Sequence, residues 1–185
     1  IGIGKKKEKH TPHNLLITLI GGILVWLGWY GFNVGSAFTF DHIAMISFVN
    51  TVIGASAGAF GWLIFEYILK KTTSLLGLLS GALSGLVAIT PAAGYVSYMS
   101  AMIIAIIGGI CCYIVINLIK VKLQYNDALD AFGIHGVGGI LGAVLTGVFQ
   151  SHQINSAVQN GFIYTADFKV VVIQLGAAIA TVVFS

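Results

Sequence analysis

From Thr72 to Ile119 the chain carries no charged side chain, and that run decides most of what it can fold into. A helix crosses the hydrocarbon core of a bilayer in ~20 apolar residues, so the run is too long for a single crossing. It is broken by Thr90-Pro91-Ala92-Ala93-Gly94, where proline and glycine interrupt helical structure, and this predicts two helices over 74–90 and 95–119. The remaining charge-free intervals predict helices over 13–36, 42–69, 127–149 and 167–185. Composition agrees: 57% of the 185 residues are hydrophobic and 8% charged, where soluble domains carry about 25% charged. A soluble enzyme is excluded, and so is a disordered chain, which needs high charge and low hydrophobicity. The fold class expected is all-α, a polytopic transmembrane helix bundle.

Local signals refine the picture. Thr11-Pro12-His13-Asn14 reads as a helix start with Thr11 as N-cap and Pro12 in the first turn. All nine basic residues are lysines. Lys5, Lys6, Lys7 and Lys9 precede the first helix, Lys70 and Lys71 follow the second, and Lys120 and Lys122 follow the fourth. Those places fall on one side of an alternating path, whereas Lys169 alone falls on the other, so the lysine-rich side is expected to be cytoplasmic. Glycines spaced four apart (Gly77/Gly81/Gly85, Gly54/Gly58, Gly31/Gly35 and Gly138/Gly142) make smooth stripes where helices can approach closely. Cys111 and Cys112 lack metal-ligand spacing and read as small hydrophobes. The first residue is Ile1, and the apolar run from Val170 closes at Ser185; the expectation is an internal fragment of a longer membrane protein.

An ionisable group inside a span is costly and is a functional candidate by default. His135 is the cleanest case, expected some 12 Å into the fifth helix at ~1.5 Å per residue. A neutral imidazole there donates from one nitrogen, accepts at the other and can relay a proton; the alternative is a histidine satisfied by one interhelical hydrogen bond. Asp127 and Asp130, three residues apart, are expected on one face of that helix's first turn, with Asn126 or Asp127 as N-cap. Trp29, Phe32 and Ser36 share a stripe near the outer end of the first helix. They suit a small cation through aromatic faces and a hydroxyl, or, together with Trp26 and Tyr30, an interfacial aromatic belt. Glu66 is expected at the surface beside Lys70. His10, His13, His42 and His152 have no evident partner.

Three runs together resemble the ammonium transporter (Amt/Mep/Rh) family, in its Amt branch. They are Gly28-Trp29-Tyr30-Gly31-Phe32-Asn33-Val34-Gly35-Ser36, then Gly85-Leu86-Val87-Ala88-Ile89-Thr90-Pro91-Ala92-Ala93-Gly94-Tyr95-Val96, then Asp130-Ala131-Phe132-Gly133-Ile134-His135-Gly136-Val137-Gly138-Gly139. Pro12-His13-Asn14 and Phe48-Val49-Asn50-Thr51 fit as well. The resemblance implies eleven transmembrane helices in two inverted five-helix repeats around a narrow pore, assembled as a homotrimer. The chain would then carry the second repeat and the start of helix eleven. Residue by residue, the resemblance implies that His135 is the second of a pore histidine pair and Phe32 one of two gating phenylalanines. It implies that Ser36 and Trp29 form the outer ammonium-recruiting site, that Ala131 lines the pore, and that Asp130 is the acidic residue of the tenth helix. The first histidine and the other gating phenylalanine belong to helices outside this sequence.

The function so implied is ammonium and ammonia transport, with a PII-type signal protein as a cytoplasmic partner and no cofactor or metal. Two alternatives are an ammonium sensor of the same fold and a non-conducting fragment. Alone, residues 1–185 supply half a pore and are expected not to transport, with a bundle lacking a defined interior.

Overall fold

The computed structural model describes residues 2–3 and 12–185. Among these residues five helices are long and apolar enough to cross a membrane: α1 (Leu15–Gly35), α2 (His42–Lys70), α3 (Leu75–Ile89, extended by a 3₁₀ turn at Thr90–Ala92), α4 (Tyr98–Leu123) and α5 (Phe132–Phe149). A single turn, α6 (Phe162–Thr165), precedes the shorter apolar α7 (Lys169–Phe184). The chain is an all-α, polytopic membrane bundle. One two-residue antiparallel pairing, Gly2–Ile3 against Tyr125–Asn126, is the exception.

Helix starts follow the capping chemistry. Asn14 opens α1: its side-chain oxygen accepts from the Leu16 and Ile17 amides at 2.9 and 3.1 Å, so Pro12 lies before the helix. Thr11, Lys5, Lys6, Lys7, Lys9 and His10 lie outside the described residues. Asp41 caps α2 through the Ala44 amide, Ser74 caps α3 through Gly77, and Ser97 caps α4 through Ser100. The fourth helix therefore begins at Tyr98 instead of residue 95, because the broken segment before it is held elsewhere. Buried Asn50 of α2 donates to the Ala93 and Val96 carbonyls at 2.8 and 2.9 Å. Those are carbonyls that a helix ending inside the bundle would otherwise leave unpaired.

Small residues let α2, α3 and α4 pack at backbone distance. A methyl on Gly58 would strike Gly81 O and Gly85 N at 2.6 Å, and one on Gly61 would meet Ile106 O at 2.6 Å. Around these contacts Leu86, Ala88, Ile89, Ala92, Val96, Ala101 and Ile104 are fully buried, giving the chain an interior of its own where none was expected. Between helices in lipid such van der Waals contact replaces the hydrophobic effect as the cohesive term. Trp62 and Phe65 pack edge-on against Tyr113. Glu66 is buried, not a surface residue; it accepts from the Ser74 hydroxyl at 3.1 Å and pairs with Lys70 at 3.4 Å. The carboxylate thereby ties the end of α2 to the start of α3.

Alternation of the helices collects Lys70, Lys71, Lys120 and Lys122 at one end and Lys169 at the other. α1 is tied to α2 through Asn33 Nδ2, which donates to Thr51 Oγ1 at 3.0 Å. α7 runs beside α5, where a methyl on Gly147 would lie 2.9 Å from Val171 Cα.

Candidate functional site

His135 sits in a π-helical turn, Phe132–Gly136, that opens α5. Such turns widen the helix and recur at functional positions. Residues 127–130 fold as a turn before the helix, so His135 is only one turn from its start, shallower than its sequence distance from Asp127 suggested. Asp127 and Asp130 consequently do not share a helical face. Asp127 is buried and caps from a distance, its Oδ2 accepting from Phe132 N at 3.0 Å and Gly133 N at 3.3 Å. Asp130 adopts the left-handed backbone conformation (φ 55°) and pairs with Lys120 Nζ at 2.7 Å. Beside this turn, burial pushes the Tyr125 phenol above its ordinary range, and the Asp127 and Asp130 charges add to the effect.

The stripe on α1 meets this turn. Trp29 stacks on the His135 ring with centroids 6.1 Å apart and planes 16° from parallel. Its indole nitrogen donates to Thr90 Oγ1 at 2.7 Å, and Thr90 in turn donates to Leu86 O at 2.7 Å. Trp26 and Trp29 pack against the Ala55, Ala59, Ala82 and Leu86 cluster, which corrects the aromatic-belt alternative for both of them. One turn further on, Phe32 is 63% exposed. Ser36 is exposed too, its hydroxyl donating to Phe32 O at 2.7 Å. Phe32 and Ser36 border a cavity of about 100 Å³ together with Asn33, Thr90 and Tyr95.

The structure thus brings Trp29, Phe32, Ser36 and His135 onto one side of the bundle. His135 and Ala131 are exposed within this chain, not enclosed. Asp130 stands apart, at the lysine-bearing end. No group of three or more His, Cys, Asp or Glu side chains able to hold a metal occurs among the described residues. His152 has partners after all: its Nδ1 lies 2.8 Å from Val158 O, and its amide donates to Asn160 Oδ1 at 2.8 Å.

Two residues of this region had no signal of their own in the sequence. Thr90 stood out only as part of a helix break, and Lys120 only as a topological charge. Their partners, Trp29 and Asp130, reveal them.

The model of the Ammonium Transporter Family matches residues 1–185. The chain is 48% identical to an ammonium transporter of Bacillus subtilis over 100% of its own length and 46% of that protein's. It is 40% identical to one of Aquifex aeolicus over 99% and 43%. Among solved structures it is similar to Saccharomyces cerevisiae Mep2, with a TM-score of 0.84 at 34% identity, covering 91% of this chain and 42% of that one. A structure titled Sensor Amt Protein gives a TM-score of 0.78 at 29% identity, with 90% and 40% covered. The chain therefore spans about half the length of the curated relatives it matches. With five membrane-length helices, matched to the family along its whole length, the chain belongs to the ammonium transporter family.

Proposed function

We propose that this chain forms one wall of an ammonium-conducting pore, and that the open side carrying Ser36, Phe32, Trp29 and His135 is its lining. The observation that carries the reading is the stack of Trp29 on His135, which joins the α1 aromatic stripe to the ionisable group of α5. Residues 1–185 are half of that conduit, and the remainder of the protein closes it.

The chemistry follows from the cost of burying charge. A hydrated ammonium ion cannot keep its water in an apolar bore, and a bare cation there costs many kcal/mol unless paired. The Ser36 hydroxyl and the aromatic faces of Trp29 and Phe32 concentrate the cation at the mouth. Neutral ammonia then passes the apolar section, and His135, with a second histidine from the rest of the protein, relays the proton. Potassium has no proton to release and is rejected. The lysine-bearing end faces the cytoplasm, the assembly is a homotrimer, and a PII-type signal protein docks at that end.

The test is methylammonium uptake by the full-length transporter carrying His135→Ala. Loss of uptake with unchanged membrane insertion supports the relay; normal uptake reduces His135 to a packing residue. Expressed alone in a transporter-deficient strain, residues 1–185 should not restore ammonium-limited growth, and the complementary half co-expressed should. Rescue by residues 1–185 alone would overturn the half-pore reading. The likeness to a sensor protein favours a second reading, occupancy signalling through the same fold. A full-length chain that binds ammonium and alters a cytoplasmic partner without uptake would establish it.

A further inference from the structure

We propose that Lys120 is a positioning residue for His135, acting across the helix interface through the turn 127–130. The inference rests on the pore reading of His135 given above. The imidazole lies on the Trp29 face, so its place is set by the main chain of the π-helical turn that carries it. The first amides of that turn hang on Asp127 Oδ2; whatever fixes Asp127 fixes the start of the turn and the direction in which residue 135 points.

Lys120, on α4, supplies that restraint. Its ammonium donates to the main-chain carbonyl of Asp127 and to Asp130 Oδ1 at 2.7 Å, gripping both ends of the turn at once. Asp130 holds a left-handed backbone conformation, which non-glycine residues keep only where their surroundings impose it. The same face of α4 continues the restraint inward. Ile116, four residues earlier, fills the space where a Gly133 side chain would be, its Cδ1 2.9 Å from that position. Cys112, four residues earlier again, places its Sγ 3.9 Å from Ile134 O. Cys112, Ile116 and Lys120 thus form one row on α4 seated against 127–134.

An exposed ion pair would contribute little. Here the Lys120 side chain is only 21% exposed, and one of its two acceptors is a main-chain carbonyl, so removing it loosens backbone as well as charge.

Full-length transporter carrying Lys120→Met, Lys120→Arg or His135→Ala is compared by methylammonium uptake at matched surface amounts. Lys120→Met should lose roughly tenfold or more in Vmax, with KM within about twofold of wild type, because the outer end of α1 is untouched. Lys120→Arg, which keeps charge and donors, should recover most of the rate. Wild-type Vmax in Lys120→Met overturns the proposal, as does a loss that appears in KM alone or that Arg fails to rescue. If Lys120→Met does not reach the membrane, Asp130→Asn is the deciding variant: a loss confined to Vmax supports the proposal, and unchanged uptake overturns it. Normal uptake in His135→Ala would instead remove the pore reading beneath it.

Discussion

A methyl on Gly58 or Gly85 would strike the main chain of the facing helix, whereas Gly21, Gly28, Gly31 and Gly35 on α1 have nothing within 4 Å of where a methyl would sit. The two sets look alike in sequence. In the α2–α3–α4 region glycine is a packing residue, since only its missing side chain allows two backbones to touch. At those four α1 positions it leaves a smooth surface facing away from this chain, whereas Gly22 packs against Leu79 of α3. Burial repeats the contrast: 56% of the apolar window at Leu75–Ala92 is buried, against 6% of α1. One region is a packed interior and the other an exposed face; Phe32 and Ser36 lie on the second, and the exposed His135 of α5 stacks on Trp29 beside it.

The largest effect should come from filling the packed interior. Gly85→Leu has no space to occupy, and the overpacking should cost about 3 kcal/mol or more. In detergent it should abolish the thermal transition of the 185-residue chain; a near-native transition would mean that the α2–α3 contact is looser than the structure has it. Asn50→Ala leaves the Ala93 and Val96 carbonyls unpaired inside the bundle and should cost about 1–3 kcal/mol, read as a lowered melting temperature. Trp29→Phe keeps an aromatic face for His135 but drops the bond to Thr90, at about 1 kcal/mol, and should reduce uptake less than His135→Ala does.

Gly31→Ala sharpens the comparison most directly. In the 185-residue chain it meets nothing and should be neutral or slightly stabilising, by up to about 1 kcal/mol from helix propensity. Equal behaviour of Gly31→Ala and Gly85→Ala in this chain would erase the distinction between the two regions. The smallest effect belongs to Asp41, at the α2 start. The Thr39 hydroxyl and then the Ala44 amide, both donating to its carboxylate, hold its pKa below the ordinary value. A depressed carboxylate stabilises the folded state above its unfolded pKa, and that stabilisation is lost as pH falls through the folded one. The melting-temperature gap between wild type and Asp41→Ala should therefore be constant near neutral pH and close only in acid, below the usual carboxylate range.

Much of this molecule was legible because the membrane imposes a simple rule. Charge cannot sit in the hydrocarbon core, so charge-free intervals mark the helices, and a proline-glycine break divides the longest of them. α2 runs His42–Lys70 in the structure. Boundaries shift where side chains hold the backbone: Asn14 caps α1, Asn50 holds 93–96 out of α4, and Asp127 with Lys120 delays α5 until Phe132. The stripe Trp29, Phe32, Ser36 follows from helical spacing alone, but its stacking on His135 does not.

The amino-acid sequence by itself determined the class, the helices, the lysine asymmetry and the family pattern, because each rests on local hydrophobicity or on residues adjacent along the chain. Only the tertiary structure decided which glycines touch a neighbour, that Glu66 is buried, that Thr90 receives the Trp29 indole, and that Lys120 grips the turn before His135. These are contacts between different helices, and the periodicity within a helix says which face a residue occupies but not what that face meets.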